Sequence, residues 1–385
     1  MTNFVFNTTK AIVSEAGASR RMAEIAGPVL GRRVVLVTDK GVRKLGLADP
    51  AVASLSAANI DVAIFDEVAA DPPESNILAL VDVVRAHRAT GILAIGGGSP
   101  MDVAKVAALL AQGGETLQGV YGVNVAKGLR LPLVLVPTTA GTGSEVTPIA
   151  IVTTGEAEKK GVVSPLLLPD IAILDADLTL GLPPAVTAAT GIDAMVHAIE
   201  SYTSASANNN PISRGLAKQA LRLLGANIRE AVFNGGNREA RGGMLLGSLL
   251  AGQAFANSPV AAVHALAYPI GGHFHVPHGL SNALVLTHVL RFNLPAAAPA
   301  YAEIAADAFP ELAVVPAEAR AEAFVEALAS LGRDLSLPQR LRDANIPEEA
   351  LAMMARDAMK QTRLLVNNPR PVTEADALAI YRAAF

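Results

Sequence analysis

Asp193 and His197, in the stretch GIDAMVHAIE (191–200), stand four residues apart. On a helix that spacing puts a carboxylate and an imidazole on one face, one turn apart, where together they can grip one divalent cation. An isolated D-x-x-x-H is more often a salt-linked surface pair. Here the neighbours Ala194, Met195, Val196, Ala198 and Ile199 are all apolar, so the pair is expected to point inward. Two further histidines, His264 in PVAAVHALAY and His278 in VPHG, lie in a tract, Gly242 to Leu290, that holds no Asp, Glu, Lys or Arg. A lone histidine in such a helix is usually a satisfied core residue. With Asp193 and His197, however, the two complete a set of three imidazoles and one carboxylate. Nitrogen and oxygen donors of this kind suit Fe2+ or Zn2+, and a chain without cysteine has no thiolate zinc site. A water or substrate oxygen would take the remaining coordination position.

A second kind of chemistry sits nearer the N-terminus. AIGGGSPMDVAK (94–105) follows an apolar run and opens a helical one. Gly97 and Gly98 let the backbone approach a ligand closely; Ser99 is expected as N-cap, Pro100 as first helical residue and Asp102 in the first turn. Free N–H groups and the helix dipole would then face an anion such as a pyrophosphate. The competing reading is a tight, well-capped turn, since the stretch is neither G-x-G-x-x-G nor a P-loop. PTTAGTGSEVT (137–147) is a second polar loop, offering the hydroxyls of Thr138, Thr139 and Ser144. Two such loops at strand ends form the crevice in which open α/β sheets bind ligands. Asp39, ending VVLVTD, could bond a ribose 2′-hydroxyl and repel a 2′-phosphate, favouring NAD over NADP, or could simply be a turn residue.

These residues need elements to hold them. Residues 1–181 alternate apolar runs with amphipathic stretches. RVVLVTD (33–39), DVAIFD (61–66), GILAIGGG (91–98), LPLVLVPTT (131–139) and the start of IAILDADLTLGLPP (171–184) read as strands, with ESNILALVDVVRAHRA between the second and third as a helix. Continuous rather than alternating apolar residues indicate a parallel sheet covered on both faces. Residues 182–385 show only helical spacing. The expectation is an α/β Rossmann-like dinucleotide-binding domain (1–181) followed by an all-helical metal-binding domain (182–385). A net charge of −4 without Lys/Arg clusters argues against nucleic acid as a partner. The start lacks a secretory pattern, and a cytoplasmic protein is expected. The charge-free tract is long enough to span a bilayer, but Asn257-Ser258-Pro259, Pro269, Gly271-Gly272, Pro277 and five histidines interrupt it, so no membrane partner is expected.

Taken together, VTDKG (37–41), the two polar loops, GIDAMVHAIE, HALAYPIGG (264–272), PHG (277–279) and HVLRFN (288–293) resemble the iron-containing, or group III, alcohol dehydrogenase family, nearly end to end. The resemblance implies a dehydroquinate-synthase-like architecture with the active site in a cleft, a nicotinamide cofactor, a small alcohol or aldehyde substrate, and a homodimer or higher homo-oligomer. It implies metal ligation by Asp193, His197, His264 and His278. Cofactor contacts would come from Asp39, Gly97, Gly98, Ser99, Thr138 and Thr139, with Lys160 and Leu178 or Thr179 near the nicotinamide or its ribose. Many members read H-x-x-x-H where this chain has His264 and Tyr268, so the proton relay passes to Tyr268 or His273. Three alternatives stand beside this: a metal-independent maleylacetate-reductase-type enzyme, a metal- and NAD-dependent lyase of the dehydroquinate-synthase type, and a catalytically silent nucleotide-binding protein.

Overall fold

The computed structural model describes residues 3–155 and 158–385. It consists of two compact units, one spanning Asn7–Gly181 and the other Leu182–Phe385 with residues 3–6. The N-terminal stretch joins the helical unit because Asn208 bonds both the N–H and the carbonyl of Val5, each at 2.9 Å.

The first unit is built on a six-stranded sheet in the order β1 (Ala11–Ser14), β9 (Ile171–Leu174), β6 (Leu133–Pro137), β4 (Gly91–Gly96), β2 (Arg33–Val37), β3 (Asp61–Phe65). Every pairing in it is parallel. Side chains alternate between its faces. Val35, Val37, Ile92 and Ala94 pack on one side under α4 (Glu74–Ala86) and α5 (Gly98–Ala111). Val34, Leu36, Leu93 and Ile95 pack on the other under α1 (Met22–Leu30) and α3 (Asp49–Ala57). The short helices α2 (Lys40–Lys44) and α6 (Leu117–Val120) complete this unit's described α-helices. Burial on both faces is why β2, β4 and β6 carry unbroken apolar runs. The connections from β2 run one way along the sheet and those from β4 the other, which makes the β2/β4 boundary the topological switch point.

β1 and a second sheet, in the order β5 (Gly122–Val123), β8 (Glu158–Val163), β7 (Ile149–Thr154), lie outside the strands expected from the sequence. β1 is an edge strand with mostly exposed residues, and β8 opens on charged residues, so neither has an apolar run to reveal it.

The second unit comprises α7 (Pro184–Thr203), α8 (Pro211–Phe233), α9 (Arg238–Asn257), α10 (Ala262–Phe274), α11 (His278–Ala308), α12 (Ala317–Asp334), α13 (Leu351–Ala358), α14 (Thr362–Leu365) and α15 (Glu374–Ala384), with no strand among its described residues. Asn257-Ser258-Pro259 ends α9 and Pro277 precedes α11, as expected of breaks. Pro269 and Gly271-Gly272, by contrast, lie inside α10, where packing overrides local helix propensity. Among the described residues no helix is long and apolar enough to cross a membrane.

Candidate metal centre

α7 supplies two of the four expected ligands. Pro184 starts it at the position where a missing N–H costs nothing, and its buried face carries Asp193 and His197, 1% and 4% exposed. His264 stands in the first turn of α10 and is 2% exposed. His278 is the first residue of α11, and its side chain is 44% exposed. His264 Nε2 lies 3.0 Å from His197 Nε2 and 3.8 Å from Asp193 Oδ1, and His278 Nε2 lies 3.6 Å from the same oxygen. One donor atom from each of the four falls within 4.8 Å of all the others. Residues separated by up to 85 positions thus converge on one point, with three sides buried and the His278 side open to solvent.

The electrostatics fit a cation. Burial alone would raise the Asp193 carboxyl, but His197, His278 and His264, with the Asn282 amide, together hold it below its usual value, so it stays an anion. The Asn282 Nδ2 donates to Asp193 Oδ1 at 2.6 Å. Phe255 stacks on the His197 ring at 4.3 Å. His264 Nδ1 is 2.7 Å from the carboxylate of Glu200, itself 4% exposed. A carboxylate there assigns the ring proton to Nδ1 and leaves the Nε2 lone pair facing His197 and Asp193. A shared proton would satisfy one pair of these donors; a divalent cation satisfies all four. Three imidazoles and one carboxylate match the ligation preferences of Fe2+ and Zn2+.

Glu200 and Asn282 went unassigned in the sequence. Both left a signal: Glu200 follows Asp193 by seven residues and Asn282 follows His278 by four, each on its ligand's helix face.

Of the two relay candidates, the structure brings Tyr268 to the centre. It lies one helical turn from His264, about 40° around the axis, and its ring centroid is 6.2 Å from that of His278. His273 is nine residues from His264, about 180° around α10 and about 13 Å along it. Its Nε2 pairs instead with Asp357 at 2.6 Å. His275 takes a left-handed conformation (φ 54°) that closes α10.

In the other unit, β4 and β6 are neighbours in register, Gly96 opposite Pro137, so the two polar loops leave adjacent strand ends. A Cβ on Gly98 would come within 3.0 Å of the Thr142 side chain, and the Thr138 N–H bonds the Gly96 carbonyl at 2.9 Å. Gly97, Gly98, Ser99 and Thr139 are half-buried and Thr138 is buried. Three features differ from the sequence expectation. The N-cap is Gly97, not Ser99; the first helical residue is Gly98, with Pro100 third, and the Ser99 hydroxyl donates to the Ala70 carbonyl. Asp102 consequently falls beyond the first turn and faces inward, accepting from Ser144 Oγ at 2.6 Å and the Ile151 N–H at 2.9 Å. Ser144 also accepts from Lys105 Nζ at 2.7 Å, and that amine reaches the Ile149 carbonyl at 2.8 Å. Lys105 is fully buried, and burial pushes its amine down despite Asp102 and Glu145 nearby. Burial likewise raises the Glu145 carboxyl to about 7. Asp102, Lys105 and Ser144 therefore tie the second loop to α5.

Asp39 caps α2 by accepting the Val42 N–H at 2.9 Å, at the β2 side of the switch point. Lys160 is an exposed residue of β8 whose amine lies 5.8 Å from the Tyr121 ring centroid. Leu178 and Thr179 are buried, the Thr179 hydroxyl donating to the Ala176 carbonyl at 2.9 Å.

Comparison with known proteins bears on both units. The iron-containing alcohol dehydrogenase profile matches residues 9–176, and the C-terminal profile of the Fe-containing alcohol dehydrogenase family matches 187–385. Long-chain-alcohol dehydrogenase 1 of Geobacillus thermodenitrificans is 40% identical over 362 residues, covering 92% of this chain and 90% of the relative. An NAD-dependent methanol dehydrogenase of Bacillus methanolicus is 32% identical over 385 residues, covering all of both chains. A crystal structure of 1,3-propanediol oxidoreductase superposes over the full length of both chains with a TM-score of 0.95 at 38% identity. A profile match in each unit, and this identity across nine-tenths of the sequence, mean that the chain belongs to the iron-containing alcohol dehydrogenase family.

Proposed function

We propose that this protein is a metal-dependent, NAD(H)-linked alcohol dehydrogenase and aldehyde reductase acting on small alcohols or diols. The observation that carries the reading is the convergence of Asp193, His197, His264 and His278 within 4.8 Å. In the forward direction a primary alcohol loses a hydride from its carbinol carbon to the nicotinamide and a proton from its hydroxyl, giving aldehyde, NADH and H+. Asp193, His197, His264 and His278 would hold Fe2+, or Zn2+, which when bound acts as a Lewis acid that favours loss of the hydroxyl proton.

The remaining work belongs to the chain. Three buried ligands exclude water, and the exposed face of His278 leaves the substrate its approach. Tyr268 stands beside His278 and is the candidate to pass the hydroxyl proton onward. Gly97, Gly98, Ser99, Thr138 and Thr139 are proposed to hold the cofactor's phosphates and nicotinamide arm, with Lys160, Leu178 and Thr179 nearer the ring. Asp39, across the switch point from the glycine loop, would take the ribose 2′-hydroxyl and select NAD over NADP. The intact ligand set disfavours the metal-independent alternative.

The test uses His278→Ala. Because His278 is half exposed, its removal should leave the fold intact while losing bound metal and alcohol-dependent NADH formation together. Full activity without bound metal in that variant would sink the reading.

A further inference from the structure

We infer that Glu200 is a positioning residue: one buried carboxylate on α7 sets both the tautomer of His264 and the place of the α10 turn that carries it. The inference rests on the reading of Asp193, His197, His264 and His278 as a metal site.

α10 begins at Ala262, and its N-cap position, Ala261, has no side chain able to accept a hydrogen bond. The first N–H groups of a helix have no partner within it, and here they are buried. Glu200 supplies the partner from the neighbouring helix: Oε2 accepts the Ala261 N–H at 3.0 Å and Oε1 the Val263 N–H at 2.7 Å. A negative charge at this end also suits the helix dipole. Oε2 accepts from His264 Nδ1 as well, at 2.7 Å. A carboxylate only accepts, so the imidazole proton must reside on Nδ1, and Nε2 presents a lone pair toward His197 and Asp193. The same two oxygens thus fix the backbone on either side of His264 and choose which of its nitrogens can bind a metal.

An amide cannot do all of this. In Glu200→Gln one position keeps an accepting oxygen and the other becomes an NH2 group. Wherever the NH2 points, it meets a backbone N–H, donor against donor. If it takes the Oε2 position it also donates to His264 Nδ1, which drives the ring proton to Nε2 and blocks ligation. Glu200→Asp keeps an acceptor-only group.

Two measurements on the full-length protein test this. The first strips the metal and measures Zn2+ affinity by competition with a chromophoric chelator. Glu200→Gln should bind Zn2+ about 10–100-fold more weakly than wild type, with Glu200→Asp recovering part of the loss. The second places 15N-histidine in metal-free wild type and assigns His264 by the signal lost in His264→Ala; the ring should carry its proton on Nδ1. A helix-capping role alone would lower the melting temperature of both variants while leaving Zn2+ affinity unchanged, and that result overturns the inference. So does an Nε2–H tautomer in the wild type, a measurement that stands even where Glu200→Gln does not fold. Wild type that takes up no stoichiometric metal overturns the metal-site reading instead, and the tautomer measurement still decides the role of Glu200.

Discussion

Gly279 follows His278 in α11 and is buried against α7. A Cβ at this position would lie 2.5 Å from the Ala189 carbonyl oxygen, 2.8 Å from its carbon and 3.3 Å from the β-carbon of Asp193. None of these atoms can rotate away, because two belong to the α7 backbone and the third is fixed to it. An ordinary C···O contact is about 3.3 Å, so Gly279→Ala must part the two helices by about 0.8 Å. That exceeds the roughly 0.5 Å within which a functional constellation has to be held. The helices pushed apart carry Asp193 and His278, so the damage falls on the ligand set itself. Overpacking of this kind costs about 1–3 kcal/mol of stability, and Zn2+ affinity should fall at least tenfold. Urea titration and chelator competition measure the two effects separately. Gly215→Ala is the control: it lies in an exposed part of α8, and nothing stands within 4 Å of its added Cβ. Helix propensity should make that change stabilising, by about 0.5–1 kcal/mol. A Gly279→Ala protein with wild-type stability and wild-type Zn2+ affinity would refute the steric argument.

Three further outcomes are expected. Tyr268→Phe should lower kcat by about 100-fold or more if Tyr268 relays the proton, whereas His273→Ala, on the far face of α10, should change it less than about threefold; steady-state rates showing the reverse order would reassign the relay. Lys105→Ala leaves the hydroxyls of Ser144 and Thr147 and the carboxylate of Asp102 without their buried cation and should cost about 3–5 kcal/mol in urea denaturation; a loss below about 1 kcal/mol would mean the cluster reorganises without it. At Asp170 burial pushes the carboxyl up, but Arg130, Lys10 and the Leu133 N–H outweigh it and bring the value down to about 2. With the folded value below the unfolded one, this stabilisation, about 1–2 kcal/mol, is present at neutral pH and is lost as the pH falls from about 4 through about 2. The stability gap between wild type and Asp170→Asn should close over that range, and a gap independent of pH would contradict the assignment.

Much of the site was legible in the sequence because it depends on residue type and local spacing. The Asp193/His197 pair, the isolated histidines of a charge-free tract and the two polar loops after apolar runs each announce their chemistry within a few residues. β2, β4 and β6 are legible for a related reason: burial on both faces demands unbroken apolar runs, which no loop or surface helix needs. Where a strand buries little, as β1 does, or opens on charged residues, as β8 does, the composition carries no such mark, and only pairing with β9 and with β5 and β7 makes these segments strands.

Tertiary structure decided whatever depends on partners far apart in the chain or on the phase of a helix. Ser99 has a good N-cap side chain, yet it lies inside α5 because the helix starts two residues earlier than that cap would set it and Ser99 finds the Ala70 carbonyl instead. Asp102 turns inward because β7 offers it the Ile151 N–H across 49 residues. His273 and Tyr268 are chemically comparable as relays on paper, and the rotation of α10 separates them. Glu200 acquires its meaning only when α10 docks and presents two bare N–H groups and an imidazole 64 residues away. A sequence states which groups are available; folding brings distant donors and acceptors within 3 Å of one another, and that proximity determines which of them act together.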